Sequence, residues 1–369
     1  MKVYLKKGMV IFMKRITSLL LALIICLTLA SCGSVDDGDT TGTAAFDTAV
    51  VGSSSESESE STDSASSDNT TTAPSVNTPD ESETTPLLYK VTDEGGNTAW
   101  LFGSIHVGRE SFYPLPDYVI DAYEGADCLA VEFDIKAYES DFAAQTQAMS
   151  CLIDLTGNTV DKKVDEDIYN EAVSIMEGYG MYNSLMDLYM PVMWSMIIDN
   201  ILYEEMGVRT DLGIDNHMLE LAYEDGKTVL DVESAEFQYS MFASFSDELQ
   251  EYMLKDSVEA YNSYVSGDNE VEDELNELLD LWASGDEDGL AASLYEEYEF
   301  ESDDEKLLCE EYNKAVITDR NIAMADFAED AIASGQEVFI CVGAAHVVGE
   351  GAMADLLAER GYNVELITE

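Results

Sequence analysis

The chain contains three histidines, and two of them close the same four-residue pattern: Gly103-Ser104-Ile105-His106 and Gly343-Ala344-Ala345-His346. Each pattern follows an apolar run that reads as a buried strand, Ala99 to Phe102 in one case and Val338 to Val342 in the other. A glycine at a strand end lets the backbone turn tightly, and the carboxyl ends of strands in open α/β sheets are where ligands bind. Two further apolar runs end on a carboxylate, Ala130-Val131-Glu132 and Asp231-Val232-Glu233. Four strand exits therefore predict one rim carrying His106, Glu132, Glu233 and His346. Two imidazoles and a carboxylate with open positions suit a divalent metal (Mn, Co or Zn) that activates water. His106, His346 and Glu132 are the expected ligands, and Glu132 or Glu233 the group that takes a proton.

Other polar residues are candidates around this core. Arg320, beside Asn321 in a helical run, either clamps a substrate carboxylate or holds Glu132 in place, and an ordinary salt bridge explains it equally well. Asn321 and Arg109, the latter just past the first motif, are read as substrate contacts of the same kind. His217 opens an apparent helix and reads as a third imidazole, a substrate contact or a structural residue. Motifs of other chemistries are missing: there is no H-E-x-x-H, G-x-S-x-G or Walker A sequence. Gly349-Glu350-Gly351-Ala352-Met353-Ala354 matches a dinucleotide fingerprint only formally, because it begins well after its strand; it reads as the start of a helix.

The elements that must position these residues follow from patterning. Strands are expected at Leu87 to Val91, Ala99 to Phe102, Cys128 to Val131, Thr228 to Val232, Val338 to Val342 and Val364 to Ile367. Helical periodicity covers Ile168 to Glu177, Leu185 to Glu205, a block from Ala235 to Tyr298, and Lys306 to Ser334 with Gly335 as its stop. The second of these is rich in Met and aromatic residues, which makes it core or a soft groove. The pattern predicts an α/β (α+β) fold, a mixed central sheet with large helical insertions.

The ends of the chain differ in kind from this domain, which spans 87 to 369. Lys2, Lys6, Lys7, Lys14 and Arg15 precede the apolar run Leu19 to Leu27, and residues 1 to 31 read as a secretory signal peptide. Met13-Lys14-Arg15 would open a well-proportioned signal by itself. Leu29-Ala30-Ser31-Cys32 resembles a bacterial lipobox, with Cys32 as the lipidated first residue of a protein anchored on the outer face of the cell membrane. From 32 to 86 a Ser/Thr-rich acidic stretch with no Lys or Arg cannot bury enough apolar surface to order, and reads as a self-repelling tether.

Seventeen Lys and Arg face 76 Asp and Glu, a net charge of −59, and without the five cations of the signal 12 remain against 76, a net −64. Such a surface repels phosphate and excludes ordinary nucleic-acid binding. The six cysteines include no C-x-x-C pair, and Cys128 and Cys341 sit in apolar runs where buried free thiols are expected.

These residues also carry a resemblance. Leu101-Phe102-Gly103-Ser104-Ile105-His106-Val107-Gly108 with Tyr113-Pro114-Leu115-Pro116, then Leu129-Ala130-Val131-Glu132, Gly213-Ile214-Asp215, Val232-Glu233-Ser234, Asp319-Arg320-Asn321-Ile322-Ala323-Met324-Ala325, and Val342-Gly343-Ala344-Ala345-His346-Val347-Val348-Gly349 resemble, in order, the TraB/GumN family, which includes the animal Tiki proteins. The resemblance implies a fold related to erythromycin-esterase-like and ChaN-like proteins and a metal-dependent hydrolase site at His106, Glu132 and His346. Animal members look like Mn- or Co-dependent proteases, and bacterial members are linked to peptide-pheromone shutdown. The expected function is a metal-dependent hydrolase, a peptidase first and an esterase or other small-molecule hydrolase second. The alternative is a non-catalytic lipoprotein that sequesters a peptide or heme in the Met-rich groove.

Overall fold

A computed structural model describes residues 84–295, 300 and 302–368. The expected signal peptide, Cys32, nearly all of the tether, and Tyr298 at the end of the second helical block lie outside the described residues. The elements run β1 (Leu88–Thr92), β2 (Thr98–Ser104), α1 (Asp117–Gly125), β3 (Cys128–Val131), α2 (Ile135–Ser140), α3 (Phe142–Cys151), α4 (Glu166–Gly178) and α5 (Pro191–Glu205). They continue with α6 (Ile214–Asp225), β4 (Thr228–Asp231), α7 (Ala235–Ala243), α8 (Asp247–Val265), α9 (Glu270–Ser284) and α10 (Glu287–Tyr295). After α11 (Asp303–Asn313), a π-helical turn (Lys314–Thr318) leads into α12 (Asp319–Ser334), followed by β5 (Val338–Gly343), the short turn α13 (Ala344–Val347), α14 (Met353–Glu359) and β6 (Asn363–Ile367).

The six expected strands form one mixed sheet in the order β4-β3-β5-β2-β1-β6. The first four run parallel, and β1 is antiparallel to both its neighbours. The central strands β3 and β5 are buried at every position, which is why they read as unbroken apolar runs rather than alternating ones. Helix α6 lies against β3, β4 and β5, α12 against β2 and β5, and α14 against β1. Among the described residues no helix is long and apolar enough to cross a membrane.

Two apolar cores result. One surrounds the sheet and includes Phe102, Leu129, Phe339 and Trp282. The other is helical, built from α3, α4, α5, α7 and α8 around Trp194, Met193, Tyr239 and Leu249. The turn after β5 joins them, since Ala344 belongs to the first core and Ala345 to the second.

Three boundaries differ from the expectation. The helix expected from Leu185 begins at Pro191, because Pro fits the first helical position and cannot accept a preceding turn; Met186–Leu188 forms a separate 3-10 turn. The Lys306 helix starts earlier, where Ser302 caps it by accepting from Glu305 N–H. Residues 84–86 belong to the folded part rather than the tether: Thr85 N–H donates to Ala283 O at 2.8 Å and Tyr118 OH to Pro86 O at 2.5 Å. Gly335 stops α12 in the left-handed conformation (φ +78°), as expected.

Candidate functional site

The register of the sheet sets the two G-x-x-H turns side by side, with Ser104 paired to Gly343. A side chain on Gly103 would stand 3.0 Å from Ala344 Cα, so only glycine lets the turns pack this closely. The buried Trp282 indole of α9 donates to Gly103 O at 2.8 Å and closes the bend. Beyond His106 the chain lies directly on the loop before α6: Ile214 N–H donates to Ile105 O at 2.9 Å, and a Cβ on Gly213 would sit 2.6 Å from His106 O. Gly213 thereby brings Asp215, in the first turn of α6, to the first histidine.

The exits of β3 and β4 deliver the two glutamates, joined by Glu233 N–H to Glu132 O at 2.8 Å. Between them lies Arg320, only 3% exposed. Its Nη2 donates to Glu132 Oε2 at 2.7 Å and Glu233 Oε2 at 2.8 Å, and its Nε to Glu233 Oε1 at 2.9 Å. Gln238 of α7 donates to Glu132 Oε2 at 2.9 Å and Glu233 Oε2 at 3.0 Å. Both oxygens of Glu233 thus accept hydrogen bonds. Glu132 keeps Oε1 for the pocket, where it accepts from Gly343 N–H at 3.1 Å. Burial alone would raise the Glu132 carboxyl, but Arg320, the two histidines and the Gly343 N–H outweigh it and hold the group ionised far below the usual carboxylate range.

The two imidazoles meet opposite surroundings. Burial and the Arg320 charge push His346 down to about 3, so the ring is neutral at physiological pH. It is fully buried, its Nδ1 lies 2.7 Å from Asn321 Oδ1, and its Nε2 has no hydrogen-bond partner. That Nε2 faces Glu132 Oε1 at 3.9 Å, too far for a hydrogen bond, and with a neutral ring the contact is no ion pair. For His106 burial works downward too, but the Asp215 carboxylate, then Glu132, outweigh it and bring the ring to about 9. Nδ1 lies 3.0 Å from Asp215 Oδ2, a close charge contact whose direction misses a hydrogen bond.

All four rim residues expected from the sequence are therefore brought together, and Arg320 with them, as the holder of Glu132 rather than a free clamp. Asn321 also reaches the site, through His346; both ends of its amide are engaged, Nδ2 donating to Gly351 O at 3.0 Å. His217 lies apart, packed against Tyr113 with ring centres 4.4 Å apart and the ring planes tilted by 50°. Arg109 is spent on α9, where it pairs with Asp280 and donates to Asn276 Oδ1 at 2.8 Å. Sequence reading did not assign Asp215 or Gln238. The signal for Asp215 was the glycine two residues before it; Gln238 carries no local signal.

His106, Glu132, Asp215 and Gln238 line a cavity with Ser104, completed by an apolar wall that includes Phe133 and Leu219. Its volume, about 40 Å³ counted as space for water centres, holds a few waters. The donor chemistry beside the cavity, at His346 Nε2 and Glu132 Oε1, suits a divalent cation: a buried, unpartnered imidazole nitrogen faces a carboxylate oxygen. Arg320 pairs with Glu132 and Glu233, and Asp215 lies against His106. Among the described residues no three His, Cys, Asp or Glu side chains form a ready-made cage; His106 is turned to Asp215, and His346 with Glu132 forms the nucleus of the donor set. In the Met-rich helix, Met193, Trp194 and Met196 are core. The four cysteines among the described residues are free thiols.

Comparison with known proteins agrees with this geometry at the level of family. The uncharacterised protein YbaP of Escherichia coli (strain K12) and its Shigella flexneri counterpart are each 26% identical over 157 residues, 42% of this chain and 56% of the relative's length. The aligned part thus spans little more than half of those relatives. No solved structure matches. The family model described as the TraB/PrgY/gumN family matches residues 87–366, all of the sheet but its last residue and every residue of the rim, and the chain belongs to that family.

Proposed function

We propose that the protein is a metal-dependent hydrolase, acting first on a peptide bond, with His106, His346 and Glu132 holding a divalent Mn, Co or Zn ion. The observation that carries the reading is the buried His346 Nε2 facing Glu132 Oε1 at 3.9 Å with no partner of its own. A bare lone pair buried without a partner costs roughly 1–3 kcal/mol, a cost that an ion held there would offset. When bound, the ion supplies a Lewis acid that polarises a carbonyl and acidifies water.

The chain's own residues divide the remaining work. Glu132 is kept ionised by Arg320, and its Oε1 is the oxygen free to accept a proton from an attacking water. Glu233 anchors Arg320 through both of its oxygens. Gln238 fixes both carboxylates from the side, and Phe133 and Leu219 exclude bulk water from one wall, which strengthens every charge interaction inside. The lipobox-like Leu29 to Cys32 supports display on a lipid anchor outside the cytoplasm, with a peptide or small molecule as substrate and no nucleic acid as partner.

The test is metal content and affinity of the purified chain after a high-salt wash, which strips loose ions from the acidic surface. Near-stoichiometric Mn, Co or Zn in wild type, lost in His106→Ala and in His346→Ala, is the expected result. Equal, marginal metal in all three would sink the hydrolase reading. Products identified by mass spectrometry from a peptide library then separate peptide from ester cleavage.

A further inference from the structure

Asn321 dictates which nitrogen of His346 carries hydrogen. Its Nδ2 lies 3.0 Å from the Gly351 carbonyl, which can only accept, so the NH2 end of the amide must point there. The oxygen end then faces His346 Nδ1 at 2.7 Å. An amide oxygen also only accepts, so the hydrogen of that contact belongs to Nδ1. His346 is fully buried, and the nearest acceptor to its Nε2, Glu132 Oε1, stands 3.9 Å away, so a second N–H on the ring would have no partner. Nε2 is left as a lone pair facing Glu132 Oε1, and its lack of a hydrogen-bond partner is what this assignment requires.

We propose that Asn321 is a positioning residue that locks His346 in the Nδ1–H tautomer, and so presents Nε2 toward Glu132 as a standing electron-pair donor. This is the tautomer opposite to the one a free histidine side chain prefers in water, so the amide must impose it. The backbone prepares the arrangement. Arg320 and Asn321 are adjacent, and both point inward: the first reaches the two glutamates and the second the histidine. The π-helical turn just before them, Lys314–Thr318, shifts the helical register, and Arg320 Nη1 donates back to Val316 O within it at 3.3 Å. Such turns recur where a helix must present functional side chains. One turn of α12 thereby sets the charge of Glu132 and the tautomer of His346 together. The inference rests on the proposed metal site only for its consequence, a tighter hold on the ion; the tautomer itself does not.

The test uses the whole chain labelled with 15N-histidine and freed of metal with a chelator, in long-range 1H–15N spectra at pH 7.5. With only three histidines, loss of one ring's signals in His346→Gln assigns them. In wild type the His346 ring is expected to show a protonated Nδ1 and a bare Nε2. Asn321→Leu, which removes the acceptor, is expected to shift the ring to Nε2–H, whereas Asn321→Asp, which keeps an acceptor oxygen, retains Nδ1–H. A wild-type ring with its hydrogen on Nε2 overturns the proposal without any variant having to fold; so does an Asn321→Leu ring that still carries Nδ1–H. A Co(II) titration followed by visible absorption tests the consequence. Affinity is expected to fall about 10–100-fold in Asn321→Leu, and equal affinity in both proteins overturns the positioning role. Failure of wild type to bind Co(II) counts against the metal site and leaves the tautomer to be decided by the spectra.

Discussion

The two G-x-x-H turns leave neighbouring parallel strands of one sheet, and yet their histidines differ in charge. His106 meets Asp215 from α6 and is held at about 9; His346 meets Arg320 from α12 and is held at about 3. Burial pushes both rings the same way, so the difference comes from the helix each turn touches. The strand and its glycine deliver the ring, and a helix far away in sequence decides whether that ring carries a proton. A repeated motif is therefore no guide to a repeated role.

The largest test of this comparison is Arg320→Met, which leaves two buried carboxylates without their cation. Stability is expected to fall by about 3–5 kcal/mol in denaturant unfolding, and any folded remainder should show His346 titrating well above its wild-type value. A loss below about 1 kcal/mol would mean that Arg320 does not set the contrast.

Next in size is the pH dependence of the metal-free chain, where the two rings act in opposite directions. The raised His106 contributes stability that is complete below its ordinary value of 6.5 and is lost as pH rises through about 9. The depressed His346 contributes stability that is complete above 6.5 and is lost as pH falls through about 3. Unfolding free energy from this pair should peak near pH 6.5, with each limb on the order of 3 kcal/mol. Asp215→Asn is expected to flatten the limb between pH 6.5 and 9. His346→Gln should flatten the other between 6.5 and 4.5, before the carboxylates begin to titrate. Stability curves that keep both limbs in these variants would remove the two histidines as their cause.

The smallest effect is expected of Arg109→Ala. Arg109 stands three residues from His106, but its ion pair with Asp280 is largely exposed, and the change should cost at most about 1 kcal/mol and leave metal content unaltered. A loss of metal on this substitution would extend the site outward past the first turn.

Much of this was legible in the sequence for a plain physical reason. Parallel strands buried on both faces must be continuous apolar runs, which makes β3 and β5 plain; the other four are short apolar runs bounded by turn residues, and the residues just beyond four strands share one rim. The partners were harder to read. Asp215 is one of 76 acidic residues and gains its role only because Gly213 lets α6 touch the His106 turn. Gln238 is uncharged and lies in a short, mostly apolar helix with no polar pattern to single it out. Asn321 was visible as a neighbour of Arg320, but its contact with His346 depends on a π-helical turn for which Lys314 to Thr318 show no special composition. Local chemistry and periodicity place a residue on an element, while the helix that packs beside it is decided by the whole core.

The strand order has a consequence for how the molecule is made. As the chain emerges, β2 and β3 are both present long before β5, which must lie between them, with Ala99 and Cys128 each pairing with Val338. The sheet cannot zip up progressively; its centre has to be slotted between older neighbours, a non-local route that folds slowly. Until then two apolar strand edges stand open to wrong partners. The two histidines of the rim meet only when that late insertion is complete.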